Sequence, residues 1–185
     1  MSEIIELLEL RKLPDFLQAS GGVSAVLQER LGLKRRWVSV NAPMNSKYFG
    51  ELVEFATPVP GEIVLELLKL TNGARVASNK FVTYGVLDEK GGADFVSTPL
   101  DINVPNVYER PISLDQSALI IGGGVNNHES VLSTQEVVHY MDEQGTTHVC
   151  SIEDCKTDLA SYTSVTDWLV EEFDLAIRKH LIPDH

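Results

Sequence analysis

Residues 58–85 read PVPGEIVLELLKLTNGARVASNKFVTYG, and the reading of this stretch decides the fold. Pro58 and Pro60 restrict the backbone just before a new element. Apolar residues then recur at Ile63, Val64, Leu67, Leu68 and Leu70, the spacing of one helix face. Glu62 falls in the first turn, where a carboxylate suits the positive end of the helix dipole. Thr71, Asn72 and Gly73 follow. Asn and Gly enter the left-handed conformation at least cost, so the helix is expected to stop there with Gly73 at positive φ. Phe81, Val82, Tyr84 and Val86 then read as a strand, with Gly85 as a candidate bend. The unit is a helix, an Asn-Gly stop and a strand returning along the helix.

The chain has 185 residues and a net charge of −12, enough length for one domain with a sizeable core. Its charge is uneven. Residues 1–80 balance at +1, and residues 81–185 at −13. Phosphate contacts need clustered Lys and Arg, and Lys34-Arg35-Arg36 is too short a cluster, so direct nucleic-acid binding is not expected. No apolar run approaches the ~18–20 residues of a membrane span. The N-terminus MSEIIELLEL is acidic and lacks the basic region of a secretory signal. Two cysteines, Cys150 and Cys155, do not make a disulfide framework. These features predict a cytoplasmic protein.

Outward from the central helix, residues 1–44 are expected to be mostly helical. Ile4, Ile5, Leu7 and Leu8 mark an amphipathic helix, Pro14 opens a helical turn through Phe16 and Leu17, and Gly21-Gly22 breaks it. Val23, Val26, Leu27 and Leu31 repeat helical spacing. Trp37, Val38 and Val40 read as extended. Residues 45–56 read as a further helix, with Asn45 or Ser46 as N-cap. Beyond residue 80 the period becomes two. Strands are predicted at Phe81–Leu87, Phe95–Val96, Ala118–Ile121, Glu129–Leu132, Gln135–Met141 and Thr146–Ile152. Turns fall at Asp88–Gly92 and Asp142–Gly145. Residues 98–116, with Pro99, Pro105 and Pro111, read as a long loop of the kind that carries specificity. Ser164, with Asp167 three residues on, opens a closing helix through Trp168, Leu169, Phe173 and Ile177, which Pro183 ends.

The segment Leu67-Leu68-Lys69-Leu70-Thr71-Asn72-Gly73, after a proline-marked helix start, resembles the central motif of the SUKH superfamily. That superfamily holds the fungal Smi/Knr cell-wall regulators and many bacterial immunity proteins. The resemblance covers roughly residues 45–178. It extends to the order of elements: helices, Asn-Gly, a meandering antiparallel sheet and a closing helix. It implies an α+β fold over 1–185, with one antiparallel sheet packed by helices. It also implies a non-enzymatic protein-binding role, most directly immunity to a toxin domain such as a nuclease.

The residues offer other chemistries, and each is incomplete. Gly122, Gly123 and Gly124 follow an apolar run, but Gly122-x-Gly124-x-x-Asn127 lacks the third glycine of a dinucleotide fingerprint, and strands follow. A turn is the expected structure there, and no cofactor is expected. His128, His139, His148, Cys150 and Cys155 have no standard zinc spacing, so no metal is expected. These histidines read as surface or partly packed. Ser130 beside His128 and Glu129 makes no nucleophile elbow. Glu171 and Glu172 point about 100° apart on a helix and read as solvated charges. Trp168 and Phe173 read as core.

The acidic half suits a basic partner, such as a toxin domain with a basic active site. The candidate contact residues are the turn-tip carboxylates Asp88, Glu89, Asp142 and Glu143. Two alternatives stay open: a housekeeping scaffold of the Smi/Knr type, and a ligand-binding or enzymatic domain centred on the Gly122–Gly124 turn.

Overall fold

The computed structural model describes residues 2–10, 16–19, 22–28, 34–44, 61–86, 100–129 and 132–181. The architecture is α+β. Helix α1 spans Ser2–Leu10, α2 Gly61–Leu70 and α3 Val165–His180. The strands are β1 Phe16–Ala19, β2 Gly22–Gln28, β3 Lys34–Val40, β4 Ala74–Val76, β5 Phe81–Thr83, β6 Leu119–Val125, β7 Glu136–Met141, β8 Thr147–Ser151 and β9 Asp158–Tyr162. They form one nine-stranded sheet in sequential order, each strand antiparallel to the next. Among the described residues no helix is long and apolar enough to cross a membrane.

The central unit forms as its residues dictate. Helix α2 ends at Leu70, and Gly73 sits at φ 95°, a conformation that costs a non-glycine residue about 1–2 kcal/mol. Val64, Leu67 and Leu68 are buried under one sheet face with Ile4 and Leu7 of α1 and Trp168, Leu169, Phe173, Ala176 and Ile177 of α3. That face contributes Val38, Val40, Val76, Phe81, Ile121, Val137, Met141 and Val149. Ser164 caps α3, its Oγ accepting from the Asp167 amide at 3.2 Å. The opposite face carries a smaller core, in which Leu114, Ala118, Ile120, Val138, Cys150 and Cys155 pack beside Tyr84 and Tyr140.

Several expectations are corrected. Among the described residues of the N-terminal part, only α1 is helical: the turn expected through Phe16 and Leu17 is β1, and Val23–Gln28 lies in β2. Strand β2 carries a register shift between Ala25 and Val26 against β3. A bulge interrupts strict alternation, so a bulged strand can present apolar residues three apart, the spacing that reads as a helix. So short a segment has little helical stability of its own, and cross-strand pairing decides its state. Trp37–Val40 is extended as expected.

The three glycines form no turn. They continue β6, with Gly122 opposite His139 on β7 and Gly124 opposite Phe81 on β5. Glu129 lies in a bend and Leu132 outside any strand, where a strand was expected. Strand β9 was not anticipated, because DLASY has little apolar alternation. The strand from Phe81 is shortened to Thr83, with Gly85 making an isolated parallel bridge to Asp101. The expected helix over residues 45–56 and the Phe95–Val96 strand lie outside the described residues.

Two asparagines complete the sheet beyond its strands. The Asn72 side chain accepts from the Val86 amide at 2.7 Å and donates to the Val86 carbonyl at 3.1 Å. A Cβ on Gly85 would lie 2.6 Å from the Asn72 carbonyl oxygen, so this approach requires glycine there. Asn106 repeats the device. Its Oδ1 accepts from the Ile120 amide at 2.8 Å, and its Nδ2 donates to the carbonyls of Ile120 and Ile102, both at 2.8 Å. Each amide side chain stands in for a missing strand. Asn106→Ala should therefore cost about 2 kcal/mol, since it strands the buried amide and carbonyl of Ile120. Urea denaturation checks this, and a loss under ~0.5 kcal/mol would show that the clamp is dispensable.

Candidate protein interface

The described part of the long loop expected to carry specificity, residues 100–116, is a platform held by hydrogen bonds. After Ile102 it forms a π-helical turn over Val104–Tyr108, with Pro105 at its start. Asn106 ties the turn to β6, as above. Arg110 donates to the Ala118 carbonyl at 2.7 Å, to the Asp115 carbonyl, and to Asn106 Oδ1 at 3.4 Å. Asp115 accepts from the Ser117 amide and hydroxyl, both at 2.8 Å. These bonds fix the backbone, yet Val107 is 65% exposed, Tyr108 80% exposed and Ile112 fully exposed.

A groove of about 330 Å³ lies beside this platform, on the sheet face opposite the helices. Val82, Tyr84, Ile120, Gly123 and Val138 line it, with Pro105 and Pro111 from the loop and Ile152 beyond β8. Gly123 belongs to its floor: a Cβ there would point at Tyr84 Oη, 3.8 Å away. The carboxylate residues Glu109 and Glu136 line the groove and are exposed. Burial pushes the Tyr84 phenol upward, and the Glu109 charge adds to the shift. At one end stand Ser78 and Asn79 of the β4–β5 connection. Ala77, Ser78 and Asn79 hold φ of 47°, 56° and 71°, three successive left-handed non-glycine residues. Such strain persists only where the surroundings over-determine it. Here the Lys80 carbonyl accepts from Val125 N at 3.1 Å and from Asn127 Nδ2 at 3.2 Å, which fixes the end of the turn.

The ionisable groups of the helical face are built differently. Glu172 of α3 is 1% exposed and accepts from the Tyr162 hydroxyl at 2.8 Å and pairs with His128 Nε2 at 2.6 Å. Burial raises the Glu172 carboxyl, but the His128 hydrogen bond leads the effects that hold it below its ordinary range. His128 is raised, chiefly by its hydrogen bond to Glu172. Lys179 donates to the Asn127 carbonyl at 2.9 Å and His180 meets Asn127 Oδ1 at 3.0 Å, so α3 grips the 126–129 bend at several points. An imidazole and a carboxylate are acid–base chemistry in kind. None of Tyr162, Glu172 and His128 lines the groove, and the carboxylate serves to hold a bend.

His139 is also buried, against the expectation of a surface or partly packed ring. It packs with Phe81 and Trp168, ring centroids 5.6 and 5.8 Å away, and its Nδ1 accepts from the Trp168 indole at 2.9 Å. Burial pushes its pKa down to about 4. A folded-state value below the unfolded one means that protonation favours unfolding. The stability due to neutral His139 is present above pH 6.5 and is lost as pH falls toward 4. Between pH 7 and 5 that loss is about 2 kcal/mol. His139→Asn keeps an acceptor for the indole and removes the titration. Its stability at pH 7 should be lower, but its fall from pH 7 to 5 should be about 2 kcal/mol smaller. Parallel pH profiles in denaturant titrations would reject this role for His139.

The carboxylates expected at turn tips divide. Asp88 and Glu89 lie outside the described residues. Asp142 is committed to its own hairpin, its Oδ1 accepting from the Gln144 and Thr146 amides at 2.9 and 2.8 Å. Its Oδ2 faces His148 Nε2 at 3.3 Å, and Asp158 meets His148 Nδ1 at 2.8 Å. Burial lowers His148, but the bonds to Asp158 and Asp142 outweigh it and the ring is raised. Glu143 is exposed at the tip. The structure thus sets Asp142 and Glu143 on one hairpin with different duties, one as turn ligand and one as free surface charge.

The residues that sequence reading missed are Glu172, His139, Asn106 and Glu136. For Glu172 a signal was present: it lies four residues after Trp168 and one before Phe173, on the helix stripe that includes buried positions. Cys150 and Cys155 are buried free thiols, and burial pushes Cys150 upward. Among the described residues no group of three or more His, Cys, Asp or Glu is placed to hold a metal ion. The glycine segment opens no helix whose N-terminus would hold a phosphate. Comparison with protein-family models, with curated proteins and with solved structures finds no match to this chain.

Proposed function

We propose that the chain is a non-enzymatic protein-binding module of SUKH type, whose role is to neutralise a toxin domain. One observation carries the reading: a loop clamped by Asn106 and Arg110 exposes Val107, Tyr108 and Ile112 beside a groove of mixed polar and apolar lining. Large apolar side chains held out on a rigid backbone mark an interaction site, because ordering them costs little entropy on binding. An aromatic such as Tyr108 is the type of residue that anchors interfaces. The balance of −13 over residues 81–185 supports a basic partner, since opposite fields speed encounter. Loss of association rate above ~0.1 M salt is the expected signature. The SUKH resemblance of the α2–Asn72–Gly73–β4 unit supports a protein-binding role, shared by the immunity proteins and the Smi/Knr-type scaffolds, and the acidic charge favours the first.

The test begins with the gene's surroundings, where a secreted-toxin gene should adjoin. Coexpression of this chain with that toxin domain should restore host growth, and Tyr108→Ala with Ile112→Ser should abolish the rescue while leaving the folded protein in place. A neighbourhood with no toxin gene, or no rescue by folded wild-type protein, rejects the immunity role. Rescue by the double variant equal to wild type removes the loop from it.

A further inference from the structure

We propose that the groove floored by Gly123 seats an arginine side chain of the protein partner. The inference rests on the protein-binding reading above and deepens it by naming what the groove takes. Pro111 and the exposed Ile152, backed by the buried Val82, Ile120 and Val138, suit a methylene stem, which long cationic side chains lay along apolar surface while the head stays polar. Tyr84 supplies an aromatic ring, on which a guanidinium stacks better than an ammonium. Glu109 and Glu136 come from different elements, the loop and β7, and give the groove its two carboxylates. A planar guanidinium presents donors in two directions, which matches a pair of acceptors. The volume of about 330 Å³ is at the low end for ligand sites and fits one long side chain.

Among the described residues, Arg110 and Lys80 are cations beside the groove. Arg110 is spent on the carbonyls of Ala118 and Asp115. Lys80 lines the groove, and the bonds its carbonyl accepts from Val125 N and Asn127 Nδ2 fix its backbone there. Among the described residues no ion pair joins Glu109 or Glu136 to Arg110 or Lys80. A partner with a basic surface offers the complementary charge.

The experiment uses the full chain and a defined probe. N-acetyl-arginine methylamide is titrated against the ¹⁵N-labelled protein at low salt, with the lysine and the uncharged citrulline analogues as comparisons. Saturable shifts at Val82, Tyr84, Gly123 and Val138 are expected with arginine. Affinity should be at least tenfold weaker for citrulline and severalfold weaker for lysine. Glu109→Gln with Glu136→Gln should weaken arginine at least tenfold without changing the remaining spectrum. Shifts centred on Glu143, equal binding of citrulline, or an unaffected double variant each overturn the proposal. Shifts that grow with protein concentration before any probe is added would assign the groove to a second copy of this chain, and overturn it too. If arginine binds as expected and toxin rescue fails, the groove stands and the immunity role falls. If rescue succeeds and the Glu109 and Glu136 variants rescue equally, the groove falls and the immunity role stands.

Discussion

Gly124→Ala is expected to destabilise the protein by roughly 3 kcal/mol or more, the largest effect of any single methyl in the sheet. Two costs coincide there. Gly124 sits at φ 143°, which side-chain-bearing residues rarely adopt. A Cβ would also fall on the Lys80 carbonyl, 2.8 Å from its carbon and 3.1 Å from Phe81 Cα. Those are backbone atoms of Phe81 in β5 and of Lys80 just before it, so relief requires opening the end of the β5–β6 ladder. Gly122→Ala should come next, with its Cβ 2.7 Å from the Val82 carbonyl oxygen and 3.1 Å from the Trp168 ring. Gly123→Ala should be mildest, about 1 kcal/mol, because its nearest neighbour is the Val137 carbonyl oxygen at 3.2 Å. Urea midpoints for the three variants, with amide exchange on β5, read the order directly. Three equal, small losses would fit a glycine turn and contradict a glycine strand.

Glu172→Ala should cost about 3–5 kcal/mol, the range for removing one partner of a buried charged pair. The Tyr162 hydroxyl and the His128 ring both lose their acceptor, at a position where water has no ready access. The loss should show first at the 126–129 bend, as faster exchange of the His128 amide, which is held by Asn126 Oδ1 at 3.0 Å. Glu172→Gln keeps the shape and an acceptor, and should cost less. The pH dependence has a definite sign. Glu172 is depressed, so its contribution is present above about pH 4.5 and is lost as pH falls through its folded value. His128 is raised, so its contribution is present below about pH 6.5 and is lost as pH rises through its folded value. The difference in stability between wild type and Glu172→Gln should therefore peak between about pH 5 and 6.5. A difference that is flat from pH 5 to 8 would show that no charged pair forms. His139 also titrates in this window and feels the Glu172 charge, which raises it, so the comparison is made in a His139→Asn background, where the pair alone remains.

Physically, the partition between sequence and tertiary structure follows the range of each interaction. Helix α2 and its stop at Gly73, helix α3 with its Ser164 cap, and the β7–β8 hairpin around Asp142–Gly145 were legible in the residues. Each rests on apolar spacing, a cap or a turn residue within a few positions of the feature itself. The α+β class was expected from the helices, the strands after residue 80 and the SUKH resemblance, although four strands lie before residue 80. By contrast, β1 and β2 look helical until β3 pairs with β2, because a bulge erases alternation and the deciding hydrogen bonds come from another segment. Gly122–Gly124 looks like a turn because glycine signals freedom, while here it signals the closeness of Lys80, Val82 and Trp168. Asn72 reads correctly as a helix stop, yet its second duty, closing the backbone of Val86, depends on a contact 14 residues away. Glu172 reads as solvent-facing until Tyr162 and His128 arrive to satisfy it, since only partners make a buried carboxylate tolerable. The groove was legible only in pieces, the Gly122–Gly124 run and the proline-rich loop: Gly123, Tyr84, Glu109 and Glu136 are scattered over 53 positions and meet only when β5, β6, β7 and the loop are laid side by side.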